Sequence, residues 1–350
     1  MKLATLKDGS RDGQLVVVSR DLAQAHFATG IATRLQQVLD DWNFLSPQLE
    51  DLSATLNGGK ARHAFAFDTR QCMAPLPRAC HYVEATAYHA QRTLLDTLGV
   101  ATGLQRRASD HLHGPTDDVL FFDPDDDIDF EAGLVALTGD VPAAATPEQA
   151  LDGVRLLLLA SGWVLRRRQA RSPLQALAAT SFGPLAVTPD ELGDAWAGGR
   201  VHLPLQSRCH GRKLGLPDAA DGLSLPFGEV IAEAAQTRAV RAGSLFGSGA
   251  VANADPTRGF GCIAGKRAAE AADGGTPHTP WLRWGDTVQV DMKGRDGSSV
   301  FGAIAVQVVG PLGLEEGREQ GRGMDEADTA PAEPGRTRPV DADPGETPAA

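Results

Sequence analysis

Short apolar runs joined by turn clusters stand near both ends of the main body of this sequence. Residues 3–6 and 14–19 flank KDGSRDG, and residues 286–292 and 300–309 flank KGRDGSS. Both patterns predict β-hairpins, because Gly, Asp and Ser adopt the backbone conformations that tight connections need. With 39 Gly and 22 Pro in 350 residues, the chain favours many turns and short strands over a bundle of long helices.

Helical spacing is confined to a few segments. Between residues 31 and 56, apolar residues recur at steps of three and four, which predicts two helices separated at Pro47. Thr146-Pro-Glu-Gln149 has the form of a capped helix start. The leucine-rich residues 154–160 predict a buried strand that ends at Ser161-Gly162. We therefore expect an α+β fold that is predominantly β.

Two charged runs interrupt this pattern. Residues 117–131 contain eight acids. The acids at the odd-numbered positions from Asp123 to Glu131 would share one face of a strand. A calcium loop of the EF-hand type is excluded, because its required Gly and Glu fall on Ile128 and Leu134. We expect a solvated acidic loop leading into a strand at 134–137, and a solvated face for the basic residues 166–171.

Charge and composition bound the partners. The formal net charge is −12, and half of it lies in residues 311–350, which have little to bury and are expected to be disordered. No cluster of Lys and Arg is suited to nucleic acid or anionic lipid, so small molecules or proteins are the expected partners. Four scattered cysteines, and no apolar run long enough for a signal peptide or membrane span, indicate a cytoplasmic protein.

Several collinear segments resemble the fumarylacetoacetate hydrolase family, in particular its bacterial two-domain members. They include QCMAPLPRA, TGDVP, AVTPDELGDAW, GSGAVAN and RGFGCIA, and the resemblance spans residues 1 to about 309. It implies a small amino-terminal α+β domain (1–72), a catalytic-type domain built on a mixed β-sheet roll (73–310), and the acidic, Pro-rich tail (311–350). Active members use Mg²⁺ or Ca²⁺ to hydrolyse a carbon–carbon bond in a β-diketo acid, giving fumarate and acetoacetate in tyrosine breakdown.

The resemblance also indicates which positions carry the chemistry, and this sequence departs from the family at many of them. The two glutamate ligands of the metal fall on Glu131 and Gly133, a further aspartate ligand on Gly162, and an early aspartate on Asp110 or His111. The remaining positions, which activate water or steady charge, are lost as well: they fall on Gln91, Thr93, Leu177, Ala250 and Gly265. The glycines should leave an emptier, less negative pocket that admits a different small acid.

These departures leave three hypotheses. The first is an inactive or severely impaired family member with no cofactor, since Glu131 alone would hold Mg²⁺ or Ca²⁺ weakly. Its partners would be a small-molecule keto acid and, in a dimer, a second copy of the chain or a paralogue. The second is an active hydrolase with a rebuilt transition-metal site around Asp110, His111, His113 and Glu131. The third is that the acidic tail recruits a basic partner.

Overall fold

A ten-stranded sheet runs through the molecule, in a computed structural model that describes residues 1–311. A second sheet has five strands, and a short ribbon has two. The mixed α+β fold, mostly sheet, agrees with the expectation from the sequence. The sequence predicts disorder after residue 310. Except for Pro311, these residues lie outside the described part of the chain.

The secondary-structure elements are numbered in chain order. The strands are β1 (Lys2–Leu6), β2 (Gln14–Val18), β3 (Gln24–Phe27), β4 (Phe65–Ala66), β5 (His81–Ala85), β6 (Leu104–Arg106), β7 (Val119–Leu120), β8 (Ile128–Thr138), β9 (Val154–Leu165), β10 (Leu177–Val187), β11 (Trp196–Ala197), β12 (Arg200–Val201), β13 (Leu205–Cys209), β14 (Arg212–Gly215), β15 (Ser244–Gly247), β16 (Thr287–Met292) and β17 (Ile304–Val309). The helices are α1 (Leu35–Asp40), α2 (Trp42–Asn57), α3 (His89–Thr97), α4 (Pro147–Asp152), α5 (Arg166–Gln169), α6 (Pro173–Ala176), α7 (Phe227–Ala234) and α8 (Ile263–Ala272).

The large sheet has the order β4-β3-β2-β1-β10-β9-β8-β15-β5-β6 and is antiparallel except where β15 pairs with β5. Strand β1 pairs with β10, so the amino-terminal strands and the central strands share one sheet. Alternate residues of β2 enter different cores: Leu15 and Val17 pack on the side of α1 and α2, whereas Val16 and Val18 pack on the side of the five-stranded sheet. Both faces of the large sheet are therefore covered.

Several sequence predictions are confirmed. The two predicted hairpins form as β1–β2 and β16–β17. Thr146 caps α4, because its hydroxyl accepts a hydrogen bond from the Gln149 N–H while the Gln149 side chain returns to the Thr146 N–H. The two helices between residues 31 and 56 are present as well, but the break falls at Asp41, and Pro47 lies inside α2. Pro47 has no N–H, so the helical hydrogen bond to the Asn43 carbonyl is missing.

The central strands are longer than the sequence suggested. Strand β8 begins at Ile128, so the prediction of a solvated acidic loop up to residue 133 was wrong. Strand β9 continues through Ser161-Gly162 to Leu165, so the predicted strand end was wrong too. The two strands pair from Ile128 opposite Leu165 to Thr138 opposite Val154, with one register shift after Leu137. This pairing extends the sheet into the charged segments and brings them together.

Candidate functional site

Two acids of the acidic run lie side by side in the middle of the large sheet. Asp129 and Glu131 are two residues apart on β8, so they share one face as their spacing predicted, and both are buried. In the sheet register, Glu131 stands opposite Gly162 of β9. Buried carboxylates need charged or hydrogen-bonding partners, and here arginines provide them.

Arg107 and Arg166 flank Glu131 on its two sides. Nη2 of Arg107 lies 2.9 Å from Oε2 of Glu131, and Nη1 of Arg166 lies 2.9 Å from Oε1. Arg107 also contacts the Glu84 carboxylate on β5, and Arg166 Nε donates to Asp129 Oδ2 at 2.9 Å. We call these five residues the buried charge cluster. Both oxygens of Glu131 are thus occupied by guanidinium groups.

The cluster is tied to the start of α8. The backbone N–H of Ile263 donates to Asp129 Oδ1 at 2.7 Å, and that of Ala264 donates to Oδ2 at 3.0 Å. These are orphan N–H groups of the first helical turn, where a negative charge is also favoured by the helix dipole. Asp129 therefore connects Arg166 to the first turn of α8.

Neither Gly133 nor Gly162 leaves an empty space in this region. A Cβ at Gly162 would lie 3.1 Å from Arg107 Nη2, so the guanidinium occupies the place of a side chain. A Cβ at Gly133 would lie 2.3 Å from the carbonyl oxygen of Gly249, closer than any real contact. The expectation of an emptier pocket was therefore wrong at both positions, because a cation fills one and backbone the other.

Burial and charge shift the titration of the cluster. Burial raises the pKa of Glu84, and the charge of Glu131 adds to that effect. Burial acts in the same direction on Glu131, but the attraction of Arg166 and Arg107 outweighs it and lowers the pKa of Glu131. Three carboxylates face two guanidinium groups, so a proton on Glu84 would bring the whole cluster to neutrality.

This donor set does not fit the divalent metal that the family resemblance implies. Mg²⁺ and Ca²⁺ need several free oxygen ligands around one point, whereas the oxygens of Glu131 are both held by arginines. Among residues 1–311, no group of three or more His, Cys, Asp or Glu side chains is placed to hold a metal ion. The positive charge in this place belongs to the protein itself.

The histidines of the alternative metal site lie apart from this arrangement of ion pairs. His111 and His113 stand between β6 and β7 with ring centroids 4.9 Å apart, in an edge-to-face contact. Burial, together with neighbouring His111, lowers the pKa of His113. Asp110 precedes them in the same loop, whereas Glu131, the fourth residue of that hypothesis, is held in the buried charge cluster.

A cleft of about 450 Å³ opens beside the cluster, between α3 and α8, and we call it the α3/α8 cleft. Four positions at which the resemblance predicts a departure from the family line it together: Gln91, Thr93, Ala250 and Gly265. Leu177 lies outside the cleft and borders a space of only about 20 Å³ beside Arg107, which Gln91 also lines. The predicted departures thus fall in two adjacent places, the buried charge cluster and the cleft.

Sequence reasoning missed the partners of the acids. Arg166 was expected on a solvated face, which was wrong, although Arg167 and Arg168 of the same run are partly exposed and pair with Asp127 and Asp126. A signal was present: in an antiparallel hairpin, the start of β8 lies beside the end of β9, so an acidic run before one and a basic run after the other must meet. Arg107 carries no comparable signal.

Two sequence profiles match the chain. The one described as fumarylacetoacetase N-terminal domain 2 matches residues 1–78, and the one described as fumarylacetoacetate (FAA) hydrolase C-terminal matches residues 103–309. None of the curated proteins matches the sequence. The helices of residues 1–311 include none with the length and apolar character that crossing a membrane requires.

Solved structures share the fold. A maleylpyruvate hydrolase from Sphingobium sp. SYK-6, solved with manganese(II) and pyruvate, is 20% identical with a TM-score of 0.62, over 89% of this chain and 100% of that one. A putative HpcE protein from Mycobacterium smegmatis is 18% identical with a TM-score of 0.63, over 89% and 99%. A fumarylacetoacetate hydrolase from Exiguobacterium antarcticum is 17% identical with a TM-score of 0.58, over 89% and 100%.

Proposed function

The chain belongs to the fumarylacetoacetate hydrolase family, and from that premise we propose that this member does not carry out metal-dependent hydrolysis and acts as a small-molecule-binding protein. The observation that carries the proposal is the engagement of both Glu131 oxygens by Arg107 and Arg166. Two guanidinium groups supply the charge that one divalent ion would bring. The family's metal centre has become an internal ion-pair network.

A divalent ion would have to displace these arginines. Both side chains are almost fully buried, at 3% and 6% exposed, so a displaced guanidinium would lose one of its two carboxylate partners without gaining water in exchange. Loss of one partner from a buried ion pair costs about 3–5 kcal/mol. Metal binding at Glu131 would therefore be opposed by the fold, in contrast to the relative solved with manganese(II) and pyruvate.

The proton-transfer groups expected of a hydrolase are also replaced. Hydrolysis of a carbon–carbon bond needs a base that takes a proton from water and a cation or donor that stabilises the carbanion. Gln91 and Thr93 stand at the two positions where the resemblance places the residues that activate water. Their amide and hydroxyl groups do not accept a proton at neutral pH. Leu177, at the position where the resemblance places a lysine, offers no charge.

The experiment is a calorimetric titration of the chelator-stripped full-length protein with Mg²⁺, Ca²⁺, Mn²⁺ and Zn²⁺, followed by an acylpyruvate cleavage assay with each ion. We expect no stoichiometric binding and no cleavage above the metal-free background. Stoichiometric binding that disappears in Glu131→Ala, together with cleavage, would overturn the proposal. It would favour the alternative, a hydrolase rebuilt around Asp110, His111, His113 and Glu131.

A pair of variants sharpens the test. Arg107→Ala removes one cation and leaves Glu84 and Glu131 facing each other, so this variant should gain Mn²⁺ binding and a Mn²⁺-dependent rise in Tm. Arg107→Lys keeps the charge and should gain neither. Dimerisation with a second copy or a paralogue, the cytoplasmic location and a role for the acidic tail are further proposals, which rest on the sequence alone.

A further inference from the structure

We propose that Lys2 is a modification site, where its side-chain amine forms an imine with a small, uncharged hydroxyaldehyde held in a cavity beside β1. The cavity has a volume of about 490 Å³, within the range of small-molecule sites. It lies between β1, residues 189–195 and the connection from β16 to β17, and we call it the Lys2 cavity. Of its described lining residues, none belongs to the buried charge cluster, so this inference goes beyond the proposed function and does not depend on it.

The amine of Lys2 lies among the residues that form the cavity wall. Nζ donates a hydrogen bond to the backbone carbonyl of Arg20 at 3.2 Å and another to that of Ser299 at 3.5 Å. Arg20 lines the cavity, and Ser299 stands between the lining residues Ser298 and Val300. Nζ is thus held between two sides of the wall, and Lys2 is only 6% exposed. The cavity is therefore the open space next to this amine.

No carboxylate neutralises this amine directly. Among residues 1–311, none forms an ion pair with Nζ, although Glu191 and Asp296 lie near enough to attract its charge. Glu191 is engaged by Arg20 at 3.0 Å, and Asp296 accepts from the N–H and the hydroxyl of the serine two residues on. Burial lowers the pKa of Lys2 and, with the charge of Arg20, outweighs the attraction of these two acids and of Asp21.

The hydrogen bonds of Nζ suit a neutral amine. A neutral amine has two N–H donors and one lone pair, and the two carbonyl acceptors leave that lone pair free to attack an electrophile. The charged form would add a third donor without a carboxylate to receive it. Of the six lysines, all within residues 1–311, Lys2 alone is buried. It should therefore have the largest share of neutral amine at pH 7.

The reaction needs no group beyond the amine and the aldehyde. The nitrogen lone pair attacks the aldehyde carbon, and a proton moves from nitrogen to the former carbonyl oxygen, which gives a carbinolamine. The new hydroxyl then leaves with the remaining N–H proton as water, and a C=N bond replaces the C–O bond. One amine and one aldehyde thus give one imine and one water, with no change of oxidation state.

The rest of the wall favours an uncharged aldehyde that carries hydroxyl groups. Asp190 and Asp194 line the cavity at exposed positions, and their carboxylate oxygens can accept hydrogen bonds from hydroxyls. Four carboxylates and three basic side chains stand in the lining. A negatively charged aldehyde would therefore gain no net attraction there.

The test is reductive trapping on the full-length protein at pH 7. D-glyceraldehyde is the probe, sodium cyanoborohydride reduces the imine to a stable secondary amine, and peptide mass spectrometry locates it. We expect Lys2 to be labelled at least about 5-fold faster than the exposed Lys60, because a desolvated amine is the better nucleophile. Fragment ions distinguish Lys2 from the α-amino group of Met1.

A second aldehyde tests the class of ligand. Butyraldehyde is similar in size to glyceraldehyde but has no hydroxyl groups. The ratio of Lys2 to Lys60 labelling cancels the intrinsic reactivity of each aldehyde. We expect this ratio to be at least about 3-fold higher with glyceraldehyde, as one hydrogen bond to a carboxylate provides.

A variant assigns the effect to the cavity. Asp194→Trp places an indole in the lining and should slow the labelling of Lys2 by at least about 5-fold, with Lys60 unchanged. Removal of a negative charge would not explain such a slowing, because it favours the neutral amine. Asp51→Trp, at an exposed position of α2, is the matched control and should change neither rate. If Asp194→Trp does not fold, the wild-type rates with the two aldehydes decide the question.

Three results would overturn the proposal: labelling of Lys2 no faster than that of Lys60, the same labelling ratio with both aldehydes, or unchanged labelling of Lys2 in Asp194→Trp. None of these measurements involves a metal ion or the buried charge cluster. A failure here therefore leaves the proposed loss of metal-dependent hydrolysis untouched. Conversely, metal binding at Glu131 would overturn that proposal without changing the labelling of Lys2.

Discussion

The Arg107 guanidinium lies directly against Gly162, where a Cβ would stand 3.1 Å from Nη2. Gly162 is the position at which the family resemblance places an aspartate ligand, so the missing carboxylate and the inserted cation occupy the same space. A side chain at residue 162 and the Arg107 guanidinium would compete for the same space. This part of the molecule is filled and held by ion pairs.

Adjacent arginines of one run should differ greatly in their contribution to stability. We expect Arg166→Met to lower the free energy of unfolding by about 3–5 kcal/mol, because Asp129 and Glu131 both lose the buried guanidinium group that they share. Arg167→Met is the control: its side chain is 60% exposed and pairs with Asp127 at the surface, so the loss should stay below about 1 kcal/mol. Urea unfolding measures both, and equal losses would contradict the role given to Arg166.

The two glutamates of the cluster should respond differently to removal of their charge. Glu131→Gln should destabilise the protein by about 3–5 kcal/mol, because two buried guanidinium groups lose their shared partner. Glu84→Gln should change stability by less than about 1 kcal/mol at pH 7, since the cluster carries one excess negative charge and Gln can still accept from Arg107. A larger loss for Glu84→Gln would mean that Glu84 is needed in its ionised form.

The same residue gives a pH dependence. The pKa of Glu84 is raised above 4.5, so the folded chain keeps a proton that the unfolded chain has released. Its contribution to stability is therefore greatest at low pH and declines as the pH rises from 4.5 through the folded pKa. The difference in unfolding free energy between wild type and Glu84→Gln, measured in urea from pH 4 to 8, should shift in favour of the variant with rising pH. A difference that does not change with pH would contradict the raised pKa.

The fold could be predicted where local chemistry decides it. Turn residues fixed the terminal hairpins, and the Thr146 cap fixed the start of α4. The charged site could be predicted only in part, because the burial of Asp129 and Glu131 depends on partners far away in the sequence. Arg107 in particular is placed by the pairing of β5 and β6. No pattern in the sequence indicates that it pairs with Glu84 and Glu131.

Gly133 should tolerate no side chain. A Cβ there would lie 2.3 Å from the Gly249 carbonyl oxygen, and backbone cannot yield as a flexible side chain does. We expect Gly133→Ala to cost about 2–3 kcal/mol of unfolding free energy, as overpacking in a core does. Gly30→Ala is the matched control, because nothing lies within 4 Å of its added methyl group. If Gly133→Ala unfolds at the wild-type urea concentration, the close approach of β8 to Gly249 is not as the structure has it.

Glu270, in the last turn of α8, should stabilise the protein in a pH-dependent way. Its carboxylate accepts hydrogen bonds from the backbone N–H groups of His278 and Thr279, at 2.9 and 3.0 Å, and from the Thr279 hydroxyl. Burial acts to raise the pKa of Glu270, but these hydrogen bonds outweigh it and lower the pKa to about 2. An acid with a lowered folded pKa stabilises above its ordinary value of 4.5, and that stability is lost as the pH falls toward 2.

Glu270→Gln presents an N–H₂ group to donors, so we expect a loss of about 1–2 kcal/mol at pH 7. The loss should shrink as the pH falls from about 5 and become small only below about pH 2, where the Glu270 carboxyl of the wild type is mostly protonated and as uncharged as the amide. Glu233→Gln, at an exposed position of α7, is the control and should show no such trend. Urea unfolding at a series of pH values provides the measurement, and a loss that is constant with pH would show that the carboxylate charge plays no part in holding residues 278 and 279 to α8.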